Sequence, residues 1–92
     1  MLMLNWPLKG TKRMRILIID DEEMIRTLAV KILEKAGHAV LTAESGREGL
    51  ELVERNPDMI DVAIIDHTMP GMTGMETIRE IRRFSDSLPC IL

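Results

Sequence analysis

Three acidic residues follow two apolar runs, at the positions where predicted strands would end. Asp20 and Asp21 come directly after the run 16–19, and Asp66 comes directly after the run 62–65. If the runs are neighbouring parallel strands, their carboxyl ends meet at one edge of the sheet, where doubly wound folds bind ligands. Three carboxylates gathered there repel one another unless a cation joins them. Hard oxygen ligands suit Mg²⁺, and a carboxylate nearby can attack a phosphoryl group to form an acyl phosphate.

Each acid alone also has a purely structural interpretation. An acidic pair at the start of a helix commonly compensates the helix dipole, and a single Asp after a strand is often a turn residue. The combination favours chemistry, because the last acid opens a loop rich in Met, Pro and Gly over 66–74. We therefore interpret the acids and this loop together as one site.

Strands and helices that could position the acids are visible in the pattern. The runs 16–19 and 62–65 are continuous and rich in β-branched residues, which is typical of strands covered on both faces. An amphipathic helix is predicted after the first acids, with Asp21 as its cap and Gly37 as its left-handed end. Its apolar stripe has helical spacing and comprises Ile25, Leu28, Ala29, Ile32, Leu33 and Ala36.

Two later helices are predicted from capping-box pairs. Ser45 with Glu48 begins the second helix, and Thr73 with Glu76 begins the third. The third helix has an inner apolar stripe of Ile78, Ile81 and Phe84.

Short strands are predicted at 39–41 and 88–92, so that the element order is βαβαβαβ. Strands that alternate with helices indicate an α/β fold, with a parallel sheet, right-handed crossovers and helices on both faces. We predict a doubly wound sheet in a three-layer αβα arrangement.

Composition fits a single small domain of 92 residues, with 46% hydrophobic and 29% charged residues. The net charge of −3 is mixed along the chain, so we expect neither nucleic-acid binding nor membrane association from this domain. The single cysteine, Cys90, excludes an internal disulfide and favours the cytoplasm. We assign 14–92 to the domain and 1–13 to a leader or linker outside it.

Two ordered motifs carry a family resemblance. Ile-Leu-Ile-Ile-Asp-Asp-Glu at 16–22, and Ile-Ile-Asp followed by Met-Pro-Gly-Met-x-Gly within 64–74, resemble the receiver domain of two-component response regulators. The resemblance covers 14–92 without a gap. It implies a flavodoxin-like strand order 2-1-3-4(-5), and a phosphoryl group passed to Asp66 from a histidine kinase or histidine phosphotransfer protein. It also implies an output domain or target protein that responds.

The resemblance assigns roles to the residues around the acceptor. Asp21 and Asp66 would bind Mg²⁺ directly together with the backbone carbonyl of Thr68, and Asp20 would act through a bound water. The residues that would shape the loop, or allow a close approach at the head of the third helix, are Met69, Pro70 and Gly74.

Two family features are not found in this sequence. By the resemblance, the switch Ser/Thr would fall just past Leu92, and the lysine that contacts the phosphoryl group would lie further on. We therefore expect a fragment that stops after the fourth strand. A chain ending there would leave 88–92 as an unprotected apolar edge, and such edges pair with other chains. We expect the 92-residue chain to be dimeric, domain-swapped or prone to aggregate.

Two other classes of protein fit this sequence less well than the receiver domain. An aspartyl-nucleophile phosphohydrolase would need a second Asp at the position of Thr68, and a flavin carrier would need a hydroxyl- and Gly-rich loop instead of the acids at 20–23. The remaining alternative is a receiver-like interaction module that works without phosphorylation. We do not expect an enzyme: at most, a phosphoryl-accepting receiver domain catalyses its own phosphorylation and dephosphorylation.

Overall fold

The computed structural model describes residues 13–92, so the predicted leader lies, except for Arg13, outside the described residues. Strands and helices alternate along this part of the chain, as the sequence predicts. The elements are β1 (Arg15–Ile19), α1 (Glu23–Lys35), β2 (Ala39–Ala43), α2 (Gly46–Arg55), β3 (Val62–Ile65), α3 (Gly74–Phe84) and β4 (Cys90–Ile91).

The four strands form one parallel sheet in the order β2-β1-β3-β4. This confirms the predicted α/β fold and strand order. Ile19, the last residue of β1, pairs with Ala43 on one side and with Ile65 on the other. Because three strands end at the same level, the residues that follow β1 and β3 start from neighbouring points at one edge of the sheet.

The sheet face that carries α2 and α3 holds the main core. Ten buried residues form one cluster there, to which β1 contributes Leu17 and Ile19 and α3 contributes Ile81. The helix α2 approaches the sheet closely at Gly49, where an added Cβ would collide with the side chain of Ile19. The close packing of this face fixes β1 and β3, and thereby the edge from which the acids extend.

The opposite face is covered more thinly. Its cluster has three buried residues, all from β1 and β3, and none of the residues of α1 is buried. In the predicted stripe of α1, Ile25, Leu28 and Ile32 are 42%, 54% and 58% exposed. The predicted helix is present, but within residues 13–92 it has no neighbouring helix on this face to cover its stripe.

The ends of α1 were predicted with mixed success. Asp21 is not the cap: the N-cap is Glu22, which makes no side-chain cap hydrogen bond. Gly37 does end the helix in the left-handed region, with φ of 98°, and its N–H donates to the carbonyl of Glu34 at 3.0 Å. The cap prediction failed by one residue, because β1 ends at Ile19 and both Asp20 and Asp21 lie in the turn before the N-cap.

The capping box at α3 is complete, since Glu76 N–H donates to Thr73 Oγ1 at 3.1 Å and Thr73 N–H donates to Glu76 Oε1 at 2.9 Å. At α2 only half of the box forms, because the Glu48 carboxylate accepts from Glu44 N–H, at 2.7 Å, instead of from Ser45 N–H. The predicted inner position of Phe84 is wrong: it is the last residue of α3, and it is half-exposed.

Candidate functional site

The three acids lie together at the carboxyl edge of the sheet. One carboxylate oxygen from each of Asp20, Asp21 and Asp66 lies within 4.8 Å of the others. Asp20 and Asp66 are half-buried and Asp21 is exposed, so the crevice opens to solvent. The alignment of the ends of β1 and β3 brings these residues to the same edge of the sheet.

Backbone hydrogen bonds hold the acids in place. Asp66 N–H donates to the Ile19 carbonyl at 2.8 Å, which continues the ladder between β1 and β3. Asp20 N–H donates to the Ala43 carbonyl at 3.0 Å, and its Oδ1 accepts from Glu22 N–H at 2.9 Å. The first and last acids are therefore anchored to the sheet itself and not to a free loop.

The electrostatics of the crevice favour a cation. Between residues 13 and 92 the salt bridges are Arg15 with Asp61 and Arg83 with Glu80, and neither involves the three acids. Two unit charges 4 Å apart repel by about 1 kcal/mol in water and by about 4 kcal/mol near a protein surface. The carboxylates thus gather at a cost that a bound cation would remove.

The arrangement fits Mg²⁺ on its donor set. Magnesium prefers oxygen ligands at about 2.0–2.1 Å and keeps several waters, so opposite ligands in its shell lie about 4.2 Å apart. Carboxylate oxygens within 4.8 Å of one another are compatible with two direct ligands and a third that reaches the ion through water. The carbonyl ligand assigned to Thr68 stays a prediction.

The loop after Asp66 folds back on the strand end. Met69 is buried in the main cluster, whereas Pro70 is exposed and Gly71 adopts a left-handed turn with φ of 86°. Gly74 N–H donates to the carbonyl of His67 at 3.1 Å, and a Cβ on Gly74 would collide with the backbone carbonyl of Asp66. A side chain at Gly74 would therefore displace the backbone that carries Asp66.

One contact at the site was missed from the sequence. Arg26, in the first turn of α1, donates from Nη1 to the backbone carbonyl of Asp20 at 2.8 Å. A basic residue in the first turn of a helix opposes the helix dipole. That unfavourable placement was the signal that could have drawn attention to Arg26.

The family model of the response regulator receiver domain matches residues 16–92. The chain belongs to this family. Its relatives include the transcriptional regulatory protein AfsQ1 of Streptomyces coelicolor, 45% identical over 78 residues that make up 84% of this chain and 33% of AfsQ1. The chain therefore spans about a third of the length of such curated relatives.

Solved structures agree with the family. A response regulator receiver domain protein from Clostridium thermocellum has a TM-score of 0.81 and 40% identity, with 84% of this chain and 61% of that chain covered. The CheX-CheY-BeF3-Mg²⁺ complex from Borrelia burgdorferi has a TM-score of 0.80 and 26% identity, with 84% and 58% covered. Both likenesses cover most of this chain.

Within residues 13–92, none of the helices is both long enough and apolar enough to cross a membrane.

Proposed function

We propose that Asp66 is the phosphoryl acceptor of this receiver domain. The observation that carries the proposal is the convergence of three carboxylates, none of which forms a salt bridge within residues 13–92, with Asp66 directly after β3. A carboxylate there is a nucleophile held on a rigid strand, beside a place for a cation that can offset the charge of a phosphoryl group.

The transfer is a displacement at phosphorus. A carboxylate oxygen of Asp66 forms a bond to the phosphorus of a phosphohistidine on a histidine kinase or a histidine phosphotransfer protein. The P–N bond breaks, its electron pair goes to the imidazole nitrogen, and the product is an acyl phosphate on Asp66. The acyl phosphate then changes the affinity of the domain for an output domain or target protein.

The residues around Asp66 have separate tasks in this proposal. Asp21 and Asp66 would hold Mg²⁺ with the Thr68 carbonyl, and Asp20 would hold it through water. When bound, Mg²⁺ supplies positive charge beside the phosphoryl oxygens. Gly74 keeps the backbone of Asp66 against the head of α3, where a side chain has no room.

Receiver domains are signalling domains of two-component systems, and this chain shares that family role. We propose that it acts in the cytoplasm, as a switch whose own phosphorylation and dephosphorylation are the chemistry it performs. The Borrelia CheY, which forms a complex with BeF3 and Mg²⁺, supports the proposed metal by analogy.

The test is phosphorylation of the purified protein by acetyl phosphate in the presence of Mg²⁺, followed by intact-mass analysis. We expect one added phosphoryl mass on the parent and none on Asp66→Asn. Asp58→Asn, which alters an exposed acid in the loop after α2, is the matched control and should be labelled like the parent.

Labelling of Asp66→Asn to the extent of the parent would show that Asp66 is not the acceptor. A parent that is never labelled, but that still binds its output partner, would favour the interaction module that works without phosphorylation.

A further inference from the structure

Arg26 reaches back from α1 to the loop that carries two of the acids. Its guanidinium donates to the backbone carbonyl of Asp20 at 2.8 Å, and it is half-buried although its chain neighbours Ile25 and Thr27 are exposed. A cation in the first turn of a helix is disfavoured by about 0.3–1 kcal/mol. This hydrogen bond is the interaction that offsets that cost.

The contact fixes more than one oxygen atom. The Asp20 carbonyl belongs to the planar peptide that leads into Asp21, so holding this oxygen fixes the position of the Asp21 Cα, from which that side chain extends. The amide of Asp20 is bound to Ala43, and its carboxylate accepts from Glu22. With Arg26 in place, every polar group of Asp20 except one carboxylate oxygen has a hydrogen-bond partner within residues 13–92.

The guanidinium does not take up the carboxylate oxygens themselves. Across residues 13–92 Arg26 forms no salt bridge with the three acids, whose oxygens stay available for a cation. Its two effects on a bound cation have opposite signs. Positive charge near the crevice repels the cation, whereas a fixed Asp20–Asp21 peptide spares the site the entropy of ordering its ligands.

We propose that Arg26 is a positioning residue of the acidic site, and that it strengthens Mg²⁺ binding by holding the Asp20–Asp21 peptide through the Asp20 carbonyl. This inference rests on the Mg²⁺ site of the proposed function. Positioning outweighs repulsion, because the guanidinium bonds to a carbonyl on the backbone side of the loop and leaves the carboxylates to the metal.

The experiment is a calorimetric Mg²⁺ titration of the full chain and its variants. Arg26→Met keeps the apolar stem but removes the donor and the charge, and we expect its Kd for Mg²⁺ to rise about tenfold. Arg26→Lys keeps the charge and a donor but not the planar fork, so we expect a smaller rise. Arg79→Met removes one positive charge from the exposed face of α3 and should leave the Kd unchanged.

The outcomes separate the inference from the proposed function. Tighter or unchanged Mg²⁺ binding by Arg26→Met would overturn the positioning role, since charge repulsion alone predicts tighter binding. Asp21→Ala tests the site itself: binding equal to the parent would remove the Mg²⁺ site of the proposed function. Loss of binding in Asp21→Ala with no loss in Arg26→Met would overturn only the positioning role.

Folding is checked by thermal unfolding of every variant in Mg²⁺-free buffer. We expect Arg26→Met to unfold cooperatively, because removing a cation from the first turn relieves the helix dipole. If it does not, Arg26→Lys carries the test, and a Kd for Arg26→Lys at or below that of the parent would overturn the inference.

Discussion

The two faces of the sheet are built from the same strands but are packed very differently. The face under α2 and α3 holds ten buried residues in one cluster, and the face under α1 holds three. The strand β1 is buried on both sides, through Leu17 and Ile19 on one and through Ile16 and Ile18 on the other. The difference therefore comes from the helices of residues 13–92: two pack together on one face, and one lies on the other without a neighbouring helix.

This difference divides the acidic site between a firmly packed part and a loosely packed part. Asp66 and its loop join β3 to α3, on the face with the larger core. Asp20 and Asp21 join β1 to α1, which buries none of its own residues. We infer that packing adds to the hydrogen bond that anchors the proposed acceptor, whereas the other two acids depend mainly on hydrogen bonds such as the one from Arg26.

The largest expected effect is on stability, where matched substitutions on the two faces compare the packing directly. Ile81 of α3 is fully buried, and Ile81→Ala should lower the free energy of unfolding by about 3–4 kcal/mol. Ile32 of α1 is 58% exposed, so Ile32→Ala should cost less than about 1 kcal/mol. Urea denaturation with a shared m-value measures both changes, and equal losses would mean that the face under α1 is covered in solution.

The sequence predicted the strands and the meeting of the acids well, for a physical reason. The runs before Asp20 and Asp66 are apolar without alternation. A strand that is buried on both faces has this pattern, whichever elements pack on the two faces. Once both strands are parallel neighbours, the position of the acids at their ends follows. The helix after the first acids was equally visible, since its stripe has the helical period.

The extent of burial was not visible in the same pattern. The stripe of Ile25, Leu28 and Ile32 indicates which side of α1 is apolar, but not whether a second helix lies beside it. The contact from Arg26 to Asp20 has no sequence motif, because the acceptor is a backbone carbonyl; its only signal was a basic residue near the start of a predicted helix. The failed cap at Asp21 depended on a shift of one residue, which periodicity does not resolve.

The second expected effect is self-association of the 92-residue chain. The helix α1 exposes Leu28 and Ile32, and on β4 Ile91 is 54% exposed. Apolar surface and an unpaired strand edge both favour pairing with another copy. Sedimentation across a range of concentrations should show a dimer or larger species, and Ile32→Lys and Ile91→Lys should each reduce it.

The two lysine substitutions also separate the possible surfaces. A larger effect of Ile32→Lys would assign association to the face under α1, and a larger effect of Ile91→Lys would assign it to the edge at β4. A monomer at every concentration that unfolds cooperatively would contradict the prediction, and would show that the thinly covered face is stable in water.

The smallest expected effect is on the reactivity of a thiol, and it depends on the difference between two neighbouring side chains of β4. Cys90 packs against the cluster under α2 and α3, whereas Ile91 extends from the opposite face, because successive residues of a strand alternate. Burial raises the pKa of the Cys90 thiol, although Arg82 partly opposes this effect. The thiolate is the reactive form, so we expect iodoacetamide to modify Cys90 several-fold more slowly than free cysteine near neutral pH.

A matched variant places the same thiol on the exposed face. Ile91→Cys combined with Cys90→Ser should react at nearly the rate of free cysteine, and equal rates for the two thiols would contradict the difference in packing.

The raised pKa of the Cys90 thiol also has a consequence for stability. Because folding favours the protonated thiol, its contribution is complete below the pKa of the unfolded thiol and is lost as the pH rises through the folded value. Cys90→Ser should therefore reduce the alkaline loss of stability slightly, and a loss as steep as that of the parent would place its cause at groups other than Cys90.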